Sequence, residues 1–177
     1  FPNARIYCFE PVLRTFERLR KATADLENVS CVHCALGDEV ARRRMTAKGT
    51  SGKNHLVSDG DSDGETEGVD VTTLDAFCRQ HAIDHVGYVR IDTEGNDLNV
   101  LKGAYALLKA GRIDFLEVEA GMNPSNAYHV PIEDFKAYLE PLGYYLFGIY
   151  EQKSEWRQKE KYLRRADVAF MRKDLSA

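Results

Sequence analysis

The sequence lacks the features that mark several protein classes. No apolar run approaches the roughly 20 residues that a membrane-spanning helix requires. Positive charge is not in excess, since the net charge is −4, and such a chain is not expected to bind nucleic acid or an anionic membrane surface. No signal peptide is visible, because Phe1 starts directly in a segment with a strand-like pattern.

The chain has only four cysteines, and their spacing does not indicate a metal site. Cys31 and Cys34 form a single CxxC, and no second pair follows at metal-binding spacing. The surrounding segment, Val29–Leu36, has the pattern of a strand, in which residues three apart face opposite sides of the sheet. We therefore expect these two cysteines, with Cys8 and Cys78, to be buried free thiols. Free thiols fit a reducing, cytoplasmic location.

The composition is that of an ordinary globular protein. The chain has 177 residues, of which 44% are hydrophobic and 29% charged, enough for one domain with a sizeable core. No internal repeat or linker divides it. We expect a single domain over residues 1–177.

Strand and helix patterns alternate along the chain, which predicts an α/β fold with a mostly parallel sheet flanked by helices. The last two strands have no helix between them, so an antiparallel C-terminal hairpin is expected. The predicted strands are Arg5–Glu10, Val29–Leu36, Val69–Val71, Tyr88–Ile91, Ile113–Ala120, Tyr144–Tyr150 and Ala166–Arg172. The predicted helices are Val12–Ala24, one opened by Thr72–Asp75 and running through Gln80, Asp97–Leu108 and Pro131–Leu142.

The most informative segment runs from Val89 to Ala104. A buried strand leads into Asp92, Glu94 and Gly95, and a helix begins at Asp97. In open α/β sheets ligands bind where strands end, so acids at this point are well placed to act on a substrate. The alternative is that Asp97 only caps the helix while Asp92 and Glu94 are solvated loop charges.

Five segments in order resemble the FkbM-type methyltransferases, which are class I enzymes dependent on S-adenosylmethionine. They are Phe9–Pro11, Ala35–Asp38, Thr73–Asp75, Ile91–Ala104 and Leu116–Glu119. The resemblance implies a Rossmann-like fold. The family's first strand and its Gly-rich cofactor loop would lie ahead of the first residue, so the resemblance is to an N-terminally truncated domain lacking that strand.

The resemblance implies roles for particular residues. Glu10 would bind the ribose hydroxyls of the cofactor, and the strand end at Ala35 and Leu36 would face its adenine ring. Asp92 and Glu94 would be the catalytic acids, with Asp92 also facing the methyl sulfonium. The competing interpretation of Glu10 is an acid at the start of a helix.

Two further residues are predicted to contact the acceptor. Glu119 ends a strand on the same rim as the catalytic acids, and His55 lies in a polar loop. A solvated rim acid and a surface histidine are the alternatives. The acceptor implied by the family is a hydroxyl group of a small molecule or glycan; the residues themselves do not select oxygen over nitrogen.

Other functions are also open. Without the Gly-rich loop the chain could be a non-catalytic Rossmann-like domain, and Glu10 could equally hold the ribose of a nicotinamide cofactor. The segment Asp59–Asp70 resembles half of a calcium-binding loop, but its twelfth position is Asp70 rather than glutamate. Asp92, Glu94 and Asp97 could in principle chelate Mg²⁺, yet we expect no metal site.

Overall fold

The computed structural model describes residues 3–46, 65–154 and 161–176. The chain divides into two compact units, Phe1–Thr73 and Leu74–Ala177, and each is described by itself. Within the described ranges no helix is long and apolar enough to cross a membrane.

The described residues of the first unit form one helix and two small sheets. Its elements are β1 (Ile6–Phe9), α1 (Leu13–Ala22), β2 (Val29–Val32), β3 (Ala35–Leu36), β4 (Ala41–Thr46) and β5 (Thr66–Thr72). Strands β1 and β2 pair in parallel. In the other sheet β5 lies in the middle, parallel to β3 and antiparallel to β4. Its small core consists of Ala35, Val69 and Val71, with Met45 packed against them.

The predicted strand Val29–Leu36 is wrong as one element, because the chain breaks at His33 and Cys34. The His33 ring stacks on Phe16, with 4.7 Å between centroids, and its Nε2 lies 3.0 Å from the Pro11 carbonyl oxygen. These contacts replace strand pairing locally, so β2 and β3 belong to different sheets.

In the second unit, residues 74–154 and 161–176 form a four-stranded sheet and four helices, with two short 3-10 turns. Its elements are α2 (Leu74–Gln80), β6 (Val86–Ile91), α3 (Asp97–Lys102), α4 (Tyr105–Lys109), β7 (Ile113–Gly121), α5 (Ile132–Leu139), β8 (Tyr144–Ser154) and β9 (Leu163–Arg172). The 3-10 turns are Glu140–Leu142 and Lys173–Ser176. The strand order is β6-β7-β9-β8, with β6 parallel to β7 and the other two pairs antiparallel.

The α/β class and the C-terminal hairpin are confirmed, but a mostly parallel sheet is not. Three strand pairs are parallel and three are antiparallel across the described sheets. The antiparallel share grows because β4 pairs along its whole length with β5. In addition, β8 and β9 both extend beyond their predicted bounds into residues 151–165, which lie between the two predicted strands. The sheets are therefore mixed.

The core of the second unit lies on one face of its sheet. Side chains alternate between faces along a strand, and the buried set comes from β6, β7, β9 and the helices. Its fully buried members include Leu101, Leu108, Leu116, Val118, Phe135, Leu139, Val168 and Phe170. The opposite face carries polar and charged side chains, which are described below.

The predicted helix Asp97–Leu108 is two helices rather than one. The break falls at Gly103 and Ala104, and α4 begins at Tyr105. The Asp75 carboxylate accepts the backbone N–H groups of Ala106 at 2.8 Å and Leu107 at 3.0 Å. Because these N–H groups have no partner inside α4, Asp75 supplies the cap that lets a new helix start there.

Candidate active site

A tight loop joins the end of β6 to α3. Asp97 is buried, and its carboxylate turns back over the loop: Oδ1 accepts the Thr93 N–H at 3.3 Å and Oδ2 accepts the Gly95 N–H at 3.2 Å. Glu94 and Gly95 both adopt positive φ, 52° and 98°. Burial raises the pKa of Asp97, while the N–H donors of Thr93 and Gly95 act against that shift. Asp97 therefore shapes the loop that carries the predicted catalytic acids.

The two predicted catalytic acids differ in exposure. Asp92 follows β6 directly, and its side chain is 49% exposed, with Oδ2 3.9 Å from an Arg90 guanidinium nitrogen. Glu94 is half-buried. Asp92 is thus held at the strand end near a single cation, where its carboxylate can meet a ligand from solvent.

Arg90 connects β6 to acids on the two neighbouring strands. Its Nε lies 3.1 Å from Glu117 Oε1, and one terminal nitrogen lies 3.5 Å from Asp167 Oδ2. Tyr88 donates its hydroxyl to Glu117 Oε2 at 2.8 Å. Burial and this bond to Glu117 raise the pKa of Tyr88 to about 12. On the polar face of the sheet, Arg90 therefore lies among three carboxylates, those of Glu117, Asp167 and Asp92.

The carboxylate of Glu119 is occupied within the protein. Oε2 lies 2.6 Å from His129 Nε2, and Oε1 forms an ion pair with Arg165. Both Glu119 and His129 are buried. A role for Glu119 in acceptor binding stays a prediction.

His129 was given no role from sequence, and it is the main residue that sequence reasoning missed. It lies ten positions after Glu119, outside any ligand motif, so no spacing signal points to the pair. Only the return of the chain after β7 brings the two side chains together. The sequence feature that comes nearest to indicating this network is Asn126, three residues before His129. The Oδ1 atom of Asn126 lies 3.0 Å from His129 Nδ1.

In the first unit, Glu10 follows β1 and is half-buried. Its Oε1 accepts the Val12 N–H at 2.8 Å, and Glu67 Oε1 accepts the Leu13 N–H at 2.8 Å. Burial raises the pKa of Glu10, and Glu67 adds to the shift. One oxygen of Glu10 therefore stabilises the start of α1, as the competing interpretation expected. Its Oε2 makes no hydrogen bond to a described residue, which leaves it able to accept a ribose hydroxyl.

The strand end at Ala35 and Leu36 is packed tightly. The Ala35 side chain belongs to the core cluster with Val69 and Val71. A Cβ placed on Gly37 would lie 2.8 Å from Val71 Cγ1, so a larger residue at this turn would collide with β5. Any contact of Ala35 with an adenine ring would have to come from its backbone.

Two sequence interpretations fall wholly or partly outside the described residues. His55 lies there, as does the first half of the candidate calcium loop, residues 59–64. Asp70, the last position of that loop, lies in β5, exposed and 3.3 Å from Arg42. Within the described ranges, no group of three or more histidine, cysteine or acidic side chains is placed to hold a metal ion.

Comparison with known proteins identifies the family. The model of the methyltransferase FkbM domain matches residues 2–158. The chain belongs to the FkbM methyltransferase family. The loop at Asp92–Asp97 lies inside this match, as do Glu10 and Glu119.

A solved structure agrees in fold. The crystal structure of methyltransferase FkbM from Methylobacillus flagellatus KT superposes with a TM-score of 0.57 at 18% sequence identity. The match covers 94% of this chain and 36% of that one, so this chain spans about a third of its relative's length. None of the curated proteins matches this chain.

Proposed function

We propose that this FkbM-family domain transfers a methyl group from S-adenosylmethionine to a hydroxyl oxygen of a small molecule or glycan. The observation that carries the proposal is the loop after β6, where Asp97 holds a strained turn and Asp92 stands exposed at the strand end. Family membership supports methyl transfer as the reaction class, and the free state of all four cysteines supports a cytoplasmic location.

The residues of the second unit supply the chemistry at the acceptor. Methyl transfer needs a nucleophile in line with the bond that breaks, and a group that takes its proton. The Asp92 carboxylate accepts a hydrogen bond from the acceptor hydroxyl and takes its proton as the methyl group moves. Glu94, fixed by its left-handed backbone, contacts the acceptor from the other side of the turn.

The residues of the first unit are proposed to bind the nucleoside. Glu10 accepts ribose hydroxyls through Oε2, and the backbone at Ala35 and Leu36 contacts the adenine ring. The cofactor supplies an electrophilic methyl group when bound. We propose that Asp92 also faces the methyl sulfonium and that Glu119 and His55 bind the acceptor.

Titration calorimetry with S-adenosylhomocysteine tests the cofactor. We expect micromolar binding by the wild-type protein and loss of binding in Glu10→Ala. Glu67→Ala is the matched control, because Glu67 also accepts a helix N–H but is given no cofactor role. If the wild-type protein does not bind, the proposal is wrong and a non-catalytic Rossmann-like domain becomes the better account.

Methylation assays on hydroxyl-bearing acceptors test the catalytic assignment. Asp92→Asn is expected to lower kcat by about 100-fold or more, because the amide cannot take a proton. Asp84→Asn is the control, since Asp84 lies exposed just before the same strand and pairs only loosely with Arg112 at 3.6 Å. Full turnover in Asp92→Asn would contradict the assignment.

A further inference from the structure

A buried polar network follows β7 in the second unit. Three of its members, Glu119, Asn126 and His129, are nearly inaccessible to solvent. Buried polar groups of this kind are costly unless they are fully hydrogen-bonded. The contacts of these three side chains therefore show how the segment after β7 is held in place.

The orientation of the Asn126 amide is fixed by its neighbours. Nδ2 donates to the Arg164 carbonyl oxygen at 2.9 Å, and Oδ1 accepts the Tyr128 N–H at 3.2 Å. The oxygen is therefore the atom that faces His129 Nδ1 at 3.0 Å. With Glu119 Oε2 2.6 Å from Nε2, both ring nitrogens of His129 face acceptor oxygens, so the ring is clamped between Glu119 and Asn126. A neutral ring donates its one N–H to one of these oxygens, and a protonated ring donates to both.

Burial and the charges near His129 do not all shift its pKa in the same direction. Burial lowers its pKa, and Arg164 acts in the same direction, whereas Glu94, Asp97 and Asp92 act in the opposite one. The last three residues belong to the β6–α3 loop. His129 therefore lies within electrostatic reach of the proposed catalytic acids.

The residue before His129 touches that loop directly. A Cβ placed on Gly95 would lie 2.7 Å from the Tyr128 carbonyl oxygen, so the two backbones are in close contact. On its other side, the segment is fastened to the end of β7, where the Gly121 N–H donates to the Val130 carbonyl oxygen at 2.8 Å. Tyr128 is thus held between the loop and the clamped histidine.

We propose that His129 is a positioning residue for methyl transfer. Clamped between Glu119 and Asn126, it fixes the Tyr128 carbonyl against Gly95 and so holds the backbone that carries Asp92 and Glu94. The catalytic part of this inference rests on the proposed function. The structural part does not, because it concerns only the loop.

Hydrogen exchange measured by mass spectrometry tests the structural part without any cofactor. In His129→Phe, which fills the same space without hydrogen bonds, we expect the amides of residues 93–97 to exchange at least about tenfold faster. Exchange in α1 should not change. His85→Phe is the matched control: His85 also pairs with an acid, Asp114, at 2.8 Å, but it precedes β6 and should leave residues 93–97 unaffected.

Kinetics test the catalytic part. His129→Phe should lower kcat by about tenfold while KM for the cofactor changes by less than about threefold, because misplacing the acids costs turnover more than binding. His129→Gln keeps one N–H donor and should recover part of both effects. If His129→Phe does not fold, His129→Gln carries the test on its own.

The outcomes separate the two proposals. Unchanged exchange at residues 93–97 in the folded histidine variants, together with wild-type methyl transfer, would overturn this inference alone. A wild-type protein without methyl transfer would overturn the proposed function and, with it, the catalytic role of His129.

Discussion

The Nε atom of Arg90 lies 3.1 Å from Oε1 of Glu117, across the parallel pair β6 and β7. The guanidinium also lies 3.5 Å from Asp167 Oδ2 and 3.9 Å from Asp92 Oδ2. One cation is therefore paired with three carboxylates. Burial raises the pKa of Asp167, and Arg90 works against that shift. The positive charge of Arg90 thus offsets the mutual repulsion of these three carboxylates in the folded sheet.

The Arg90–Glu117 pair is expected to contribute to stability. A double-mutant cycle with Arg90→Met and Glu117→Gln should give a coupling of about 1 kcal/mol in urea unfolding, because Glu117 is largely shielded although Arg90 is not. The Arg42–Asp70 pair is the control. Both of its side chains are more than 70% exposed, so its coupling should be close to zero. Equal couplings for the two pairs would contradict the prediction.

The close contact at Gly95 leads to a second prediction. Gly95→Ala should destabilise the protein by about 3 kcal/mol, since the residue combines a positive φ with a Cβ 2.7 Å from a backbone oxygen. Gly143→Ala tests the φ cost alone, because Gly143 has φ 86° and open space around its Cβ position. Its cost should be about 1 kcal/mol. Urea unfolding of both variants checks the difference, and similar losses would show that Tyr128 does not press on Gly95.

Asp75 is predicted to be a structural residue. Asp75→Ala should cost about 1–2 kcal/mol because it leaves two N–H groups of α4 without their acceptor. Asp75→Asn should cost less, since the amide oxygen can still accept one of them. Asp134→Ala, at an exposed acid in the first turn of α5, is the control and should change thermal stability little. A neutral Asp75→Ala variant would contradict the assignment of the cap.

Cys34 is expected to be an unreactive thiol. Burial, with a contribution from Asp70, raises its pKa to about 11. The thiolate is the reactive form, so only about one thousandth of Cys34 is reactive at pH 8. Alkylation by iodoacetamide, followed by peptide mass spectrometry, should be slow at pH 7–8 and rise about tenfold per pH unit up to pH 10. Rapid labelling of Cys34 at pH 7 would contradict the raised pKa of this half-buried thiol.

The sequence was a good guide wherever local pattern decides structure. The strands Ile113–Gly121 and Leu163–Arg172 and the helix ended by Gly143 were predicted within a few residues, because apolar periodicity and turn residues act locally. The split of Val29–Leu36 was missed because the His33 contacts with Pro11 and Phe16 are made with residues distant in sequence.

In the candidate site, too, local patterns could be predicted and contacts between distant residues could not. The loop at Asp92–Asp97 was visible as a strand followed by acids and glycine, but the inward turn of Asp97 was not, because its partners are backbone N–H groups. His129 was missed, and Glu119 was predicted without its partners, since their pairing depends on how the chain returns after β7. The cap from Asp75 to α4 spans about thirty residues and leaves no periodic signal.

The shortness of α3 and α4 has a consequence for how the second unit folds. Six and five residues are far fewer than the roughly 12–15 that a helix needs to persist alone in water. Neither helix is expected to form in the unfolded chain ahead of its neighbours. Both should appear together with the sheet beneath them, in one cooperative step, so the turn bearing Asp92 acquires its shape only when the whole unit has folded.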